Sequence, residues 1–155
     1  MNYSKYFPLD VLNGEGTRCT LFVSGCSHAC EGCYNKSTWS TGAGNPFTDE
    51  LADIIIKNLN DTRIPRQGLS LTGGDPLHPN NVDSVLALVK RVKDECPGKN
   101  IWLWSGYKMT ELDFAQSEVI DLVDVFIDGK YEEKLYQPNL AWRGSTNQII
   151  HTIKG

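Results

Sequence analysis

Residues 17–36 read "TRCTLFVSGCSHACEGCYNK", an apolar run that breaks at glycine into a cysteine-rich loop. Alternation over 17–25 predicts a β-strand, with Cys19 at a buried position. Cys26, Cys30 and Cys33 then follow four and three positions apart, with Gly25 and Gly32 among them. On a continuous helix the three would share a face but spread over about 10 Å of axis, at ~1.5 Å per residue. The glycines instead allow the chain to coil as a loop, so that three sulfurs converge just past the end of a strand.

Outward from this strand, helical and strand patterns alternate, which favours a parallel α/β sheet. A helix is expected over 48–60, capped by Thr48, followed by a strand over 68–74. A second helix, 80–96, carries an apolar stripe at Val82, Val85, Leu86, Val89 and Val92 and stops at "PG". Strands at 100–106, 123–130 and 147–153 and a helix at 110–123 complete the pattern. Five mostly parallel strands are too few to close an eight-stranded barrel, so the expected fold is an open partial (β/α) barrel, a single domain over 1–155. An open side invites a partner.

A chain of 155 residues, 40% of them hydrophobic, is one domain's worth and suffices for one core. The formal charge of −4 and the lack of a Lys/Arg cluster argue against binding nucleic acid. The amino terminus has no apolar signal-peptide core, and no run of about 18 apolar residues would span a membrane, so a cytoplasmic location is expected. Five cysteines without an export signal point to metal or redox chemistry rather than to disulfides. Cys19 and Cys96 stand apart from the other three and read as buried structural thiols.

Three readings compete for the cysteine loop. Incidental packing is disfavoured by the spacing and the flanking glycines. A structural zinc site would need His28 or His78 as a fourth ligand, because zinc usually takes four protein ligands. The third is an iron–sulfur cube held at three corners: such clusters normally take four thiolates, so one iron would stay open to a substrate or cofactor.

Cys-x₃-Cys-x₂-Cys is the signature of the radical S-adenosylmethionine superfamily. The lead-in "NGEGTRCTLFVSGC" (13–26) and the continuation "CYNKSTW" (33–39) resemble those of glycyl-radical-enzyme activases, in particular the short activases of anaerobic ribonucleotide reductases, and the likeness runs over essentially the whole chain. This resemblance implies a 4Fe–4S cluster on Cys26, Cys30 and Cys33, with the amino and carboxylate groups of S-adenosylmethionine on the open iron. It further implies reductive cleavage to methionine and a 5′-deoxyadenosyl radical, which takes a hydrogen atom from a glycine of an anaerobic ribonucleoside-triphosphate reductase. The implied electron donor is a flavodoxin-type system.

Two further motifs fit that family. "LTGGDP" (71–76) resembles its Gly-Gly-acid element, which implies that Gly73 and Gly74 bring backbone close to the methionine amino group while Asp75 adds a counter-charge; read alone it is an ordinary strand-to-helix turn. "DGK" (128–130) resembles the family's acid and base two apart, so Asp128 and Lys130 are expected on one side of a strand, near the methionine carboxylate. Adenine would lie against Gly32 or Tyr34. Some activases carry an acidic cation ligand where this chain has Ser105. Trp39, Trp102 and Trp104 read as packing residues, while Trp142 and Arg143 fall in an irregular stretch with no assigned role beyond possible docking. His28 and His151 have no assigned role in that scheme. Activation of another glycyl-radical enzyme, such as a formate-lyase, is the nearest alternative; a small iron–sulfur electron carrier, which needs no Gly-Gly-Asp element, is the alternative from another class.

Overall fold

A computed structural model of the chain describes residues 1–26, 28 and 39–153. Cys30, Gly32, Cys33 and Tyr34 lie outside the described residues. The elements run β1 (Asn2–Asp10), β2 (Arg18–Val23), β3 (Asn45–Pro46), α1 (Asp49–Leu59), β4 (Gly68–Gly73), α2 (Val82–Glu95), β5 (Asn100–Trp104), α3 (Phe114–Leu122), β6 (Val125–Asp128) and β7 (Ile149–Thr152). They build one sheet in the order β3-β1-β2-β4-β5-β6-β7.

The pairings β2–β4, β4–β5 and β5–β6 are parallel, while β1, β3 and β7 join antiparallel. Five mostly parallel strands were expected from the sequence; the sheet has seven strands, four of them parallel, and it is open. The difference is β1 and β3. The β1 segment, "NYSKYFPLD", buries neither face fully and carries Pro8, so it lacks the apolar signal that marks β2.

Register across the parallel strands explains the core. Leu21, Leu71, Leu103 and Phe126 are aligned across β2, β4, β5 and β6, and with Cys19, Leu69 and Ile101 they pack against buried positions of all three helices. Alternate positions Thr20, Ser70, Trp102 and Val125 align on the opposite face. Helices therefore cover one face, and the other carries polar and aromatic groups.

Local signals set the helix bounds. Thr48 accepts from Leu51 N and caps α1 as expected. In α2, Val82, Val85, Leu88, Val89 and Val92 are buried, with Leu88 replacing the expected Leu86 at the centre of the stripe. The third helix starts at Phe114 and not at 110, because Asp113 and Gln116 bond reciprocally as a capping box.

Cys19 and Cys96 are buried, at 0% and 1% exposure, as the sequence suggested. Burial raises both thiols, outweighing the opposing pull of nearby cations such as Lys99. The thiolate is the reactive form. Folded protein treated with iodoacetamide at pH 8 should therefore leave Cys19 and Cys96 unmodified, as read by peptide mass spectrometry. Labelling of either before unfolding would contradict their placement.

Candidate functional site at the carboxyl edge of the sheet

Because β2, β4, β5 and β6 are parallel, their carboxyl ends share one edge. Four turns meet there: Ser24–Gly25–Cys26, Gly73–Gly74–Asp75, Ser105–Gly106 and Gly129–Lys130. Backbone bonds extend the β2–β4 pairing past the strand ends, from Gly74 N to Val23 O and from Asp75 N to Gly25 O, both 2.7 Å. The cysteine loop thus starts bonded to the Gly-Gly-Asp turn.

Gly73 has φ +111°, and a Cβ there would fall 2.6 Å from the backbone N and O of Val23. Only glycine satisfies both demands. Gly25, at φ +103°, is similarly confined: a Cβ would meet Thr41 Cγ2 at 2.8 Å.

Asp75 is 1% exposed and lies at the centre of the edge. Its Oδ1 accepts from Leu77 N (2.9 Å) and Ser105 Oγ (2.8 Å). Its Oδ2 accepts from Gly106 N (3.0 Å) and lies 2.5 Å from His28 Nε2. A carboxylate has about four lone-pair sites, and this chain fills them. The counter-charge expected of Asp75 is therefore spent on the protein itself, and its geometry is that of a hub joining β4, β5 and the cysteine loop. Asn81 adds a second tie, its Nδ2 donating to Ser24 O (2.8 Å) and Asp75 O (2.9 Å).

His28, without a role in the sequence reading, is thereby a tether of the cysteine loop, and it also packs edge-on against Tyr107 at 4.7 Å. His78 Nδ1 accepts from Asn80 N at 3.0 Å, in a turn. Both histidines considered for zinc thus have protein partners. Ser105, found where some activases have an acid, bonds Asp75.

The "DGK" expectation divides. β6 ends at Asp128, and Gly129 turns the chain at φ +98°, which breaks the alternation that would place Asp128 and Lys130 side by side. Asp128 is buried, accepts from Met109 N at 2.7 Å, and lies 3.0 Å from His151 Nε2, off the line a hydrogen bond requires. Lys130 is exposed and faces the open cavity.

That cavity, about 110 Å³, is walled by Cys26, His28, Gly73, Gly74, Gly106 and Lys130. Trp39 and Trp104, read from the sequence as packing residues, also border it, and Trp102, at 6% exposure, packs inside against Trp104. A larger space of about 520 Å³ adjoins it through His28, Gly106, Lys130 and Tyr131. The donor set fits the implied groups: a cysteine sulfur, a glycine-lined backbone wall, and a cation that suits a carboxylate. No sequence signal marks the His28–Asp75 and Asn81 ties, because partners 47 and 57 residues apart meet only in the fold.

The lead-in "NGEGTRC" has its own structural logic. Arg18 is 0% exposed, its Nε donating to Ser70 Oγ (2.6 Å) and its terminal nitrogens to Glu15 O (3.0 Å) and Leu69 O (3.1 Å). Its guanidinium lies 5.3 Å from the Trp102 ring centre. Desolvation lowers its pKa to about 10, which still leaves it charged at neutral pH. Gly14, at φ +113°, leaves room for Arg18, since a Cβ would lie 2.8 Å from its side chain.

A family model described as "4Fe-4S single cluster domain" matches residues 12–151. An anaerobic ribonucleoside-triphosphate reductase-activating protein of Escherichia coli (strain K12) is 60% identical, over 99% of this chain and all of its own length. Proteins of the same name from Haemophilus influenzae, 60% identical over 99% of both chains, and from Enterobacteria phage T4, 50% identical over 97% of this chain and 93% of its own, are also similar. With identity of 50–60% over nearly the whole length of these relatives, and a family model matched over most of this chain, the chain belongs to the family of anaerobic ribonucleoside-triphosphate reductase-activating proteins, built on a 4Fe–4S single cluster domain.

Proposed function

We propose that this chain is a radical S-adenosylmethionine enzyme that generates a glycyl radical on an anaerobic ribonucleoside-triphosphate reductase. The observation that carries the reading is the convergence of Cys26, Gly73–Gly74 and Lys130 on one cavity, in a chain 60% identical over its length to a named activating protein. The open seven-stranded sheet is read as a partial barrel whose uncovered face holds the chemistry.

In this reading Cys26, Cys30 and Cys33 hold the cluster. When bound, it supplies the electron that cleaves S-adenosylmethionine to methionine and a 5′-deoxyadenosyl radical. The chain's part is to fix distance and orientation. Gly74, on the cavity wall, leaves room for the methionine amino group beside main-chain acceptors. Lys130, exposed and reorientable, pairs with the methionine carboxylate. Asp75 acts through others: it holds the Ser105–Gly106 turn and His28, and so sets where the cysteine loop stands relative to the double glycine. Asp128 holds the Met109 turn at the rim. Gly32 or Tyr34 is assigned to the adenine side, and a flavodoxin-type system to electron supply.

The test is anaerobic reconstitution with iron and sulfide, then mixing with reductant, S-adenosylmethionine and a reductase carrying deuterated glycine. A glycyl doublet in electron paramagnetic resonance and deuterium in the 5′-deoxyadenosine are expected. Formation of 5′-deoxyadenosine without deuterium and without the doublet would overturn the assignment, and an electron carrier would give no cleavage.

A further inference from the structure

Lys130 makes no ion pair among the described residues, and it follows Gly129, whose φ of +98° turns the chain off the end of β6. A lysine on an untied turn would lose much of any contact to the entropy of ordering both backbone and stem. Two neighbouring carboxamides tie the backbone down. Asn147 Nδ2 donates to Lys130 O at 2.8 Å, and Gln148 Nε2 donates to Gly129 O at 3.1 Å. Both residues stand just ahead of β7, whose first residue, Ile149, pairs with Asp128 at the end of β6.

The other end of Gln148 is itself fixed. Its Oε1 accepts from Gly144 N (3.0 Å), Ser145 N (3.1 Å) and Ser145 Oγ (3.2 Å). Facing two backbone N–H groups and a hydroxyl, that end of the carboxamide has to be its oxygen, which turns the amino end to Gly129 O. Ser145 is fully buried, and its hydroxyl also accepts from Glu132 N at 3.2 Å. The segment 129–132 is thus pinned at Gly129, Lys130 and Glu132 by side chains drawn from 145–148. Gln148 borders the cavity beside Cys26 together with Gly129 and Lys130, so the clamp stands at the cavity wall.

We propose that Gln148 is a positioning residue for S-adenosylmethionine: with Asn147 it fixes the backbone from which Lys130 reaches the methionine carboxylate. The proposal rests on the activase reading above, which gives Lys130 that contact. With both carbonyls of the turn held in advance, binding has only the lysine stem left to order, and pre-organisation of this kind is what raises affinity without adding a contact.

In the iron-free protein, trypsin cleavage after Lys130, followed by peptide mass spectrometry, reads the turn with no cofactor present. Gln148→Met and Asn147→Leu should each speed it about threefold or more relative to cleavage after Lys90 in α2, since a local tie is lost and not the whole fold. On reconstituted protein, equilibrium binding of S-adenosylmethionine should weaken about tenfold or more in Lys130→Ala and about fivefold or more in Gln148→Met, with the cluster's visible absorption as in the wild type. Adding Gln148→Met to Lys130→Ala should cost less than about twofold further, because Gln148 acts through Lys130. A glutamine that merely stabilised the fold, or that touched the cofactor itself, would weaken binding by the same factor in both backgrounds, and that result overturns the proposal. Wild-type affinity in Gln148→Met, or wild-type cleavage after Lys130, does so as well. Should Gln148→Met fail to fold, Asn147→Leu, which removes one exposed bond, takes its place in the same cycle with the same outcomes. A wild-type protein that binds no S-adenosylmethionine sinks the activase reading and this proposal with it, whereas a wild type that binds it, with the affinity lost in Lys130→Ala but kept in Gln148→Met, sinks this proposal alone.

Discussion

Asp75→Ala is expected to unfold much of the protein at room temperature and to prevent retention of the cluster. The substitution removes one side chain but strands four partners: Leu77 N, Ser105 Oγ, Gly106 N and His28 Nε2. Buried donors deprived of an acceptor cost about 1–3 kcal/mol each. Even with water entering the vacancy, the sum reaches the range above about 4 kcal/mol that single substitutions seldom attain. Domains of this kind are stable by only about 5–15 kcal/mol. Asp75→Asn separates folding from positioning. Its amide keeps one acceptor for Leu77 N and Ser105 Oγ, but turns a second donor towards Gly106 N and His28. That variant should fold with a melting temperature lowered by several degrees, at about 2–4 °C per kcal/mol for a chain of this size, and should bind iron poorly because the cysteine loop loses its tether. Thermal melts of the iron-free protein, paired with iron content after reconstitution, read the two effects separately. An Asp75→Ala protein that melts within about 2 °C of the wild type would show that the hub is dispensable.

The central sheet was legible in the sequence because its strands are buried and carry apolar residues at every second position, on the face covered by helices. "TRCTLFV", "GLSLTGG" and "NIWLW" announce themselves in this way, and their alternation also separates the helix-facing residues from the others. β1 was not legible. It lies near the sheet edge, is half exposed and contains a proline, so its place is set by β2 and not by its own pattern. Cys30 and Cys33 lie outside the described residues, whereas the double glycine could be read because close approach of two backbones demands glycine at a fixed place. Asp75's true partners could not, since a carboxylate followed by proline looks the same whether it faces a ligand or four donors of its own chain. The same holds for His28 and Gln148: each is ordinary in sequence, and becomes informative only through a contact made across the fold. Lys130 and Asp128 show the converse failure, where a period-two argument was sound for a strand but the strand had already ended.

Cys26→Ala, Cys30→Ala and Cys33→Ala should each abolish the cluster's visible absorption and all glycyl-radical formation, whereas Cys19→Ala and Cys96→Ala should keep both. The reasoning is spatial as well as chemical. Cys26 borders the cavity at the carboxyl edge. Cys19 enters β2 four residues before that strand's end, about 13 Å away at ~3.3 Å per residue, and its side chain lies in the core on the face covered by helices. Cys96 closes α2, with its Sγ 3.9 Å from Ile56 O. Neither sulfur can reach the edge without unfolding the core, and burial keeps both protonated, which iron ligation does not permit. Their loss should cost only the packing of a small buried side chain, so the melting temperature falls by a few degrees while iron and sulfide content stay at the wild-type level. In the proposed ligand set, three protein thiolates around a cube that normally takes four would leave one iron for an exogenous chelator. Adding S-adenosylmethionine should therefore perturb the reduced cluster's paramagnetic signal in the wild type and in Cys96→Ala alike. Retained cluster absorption in Cys30→Ala, together with its loss in Cys96→Ala, would mean that the ligand set has been misassigned.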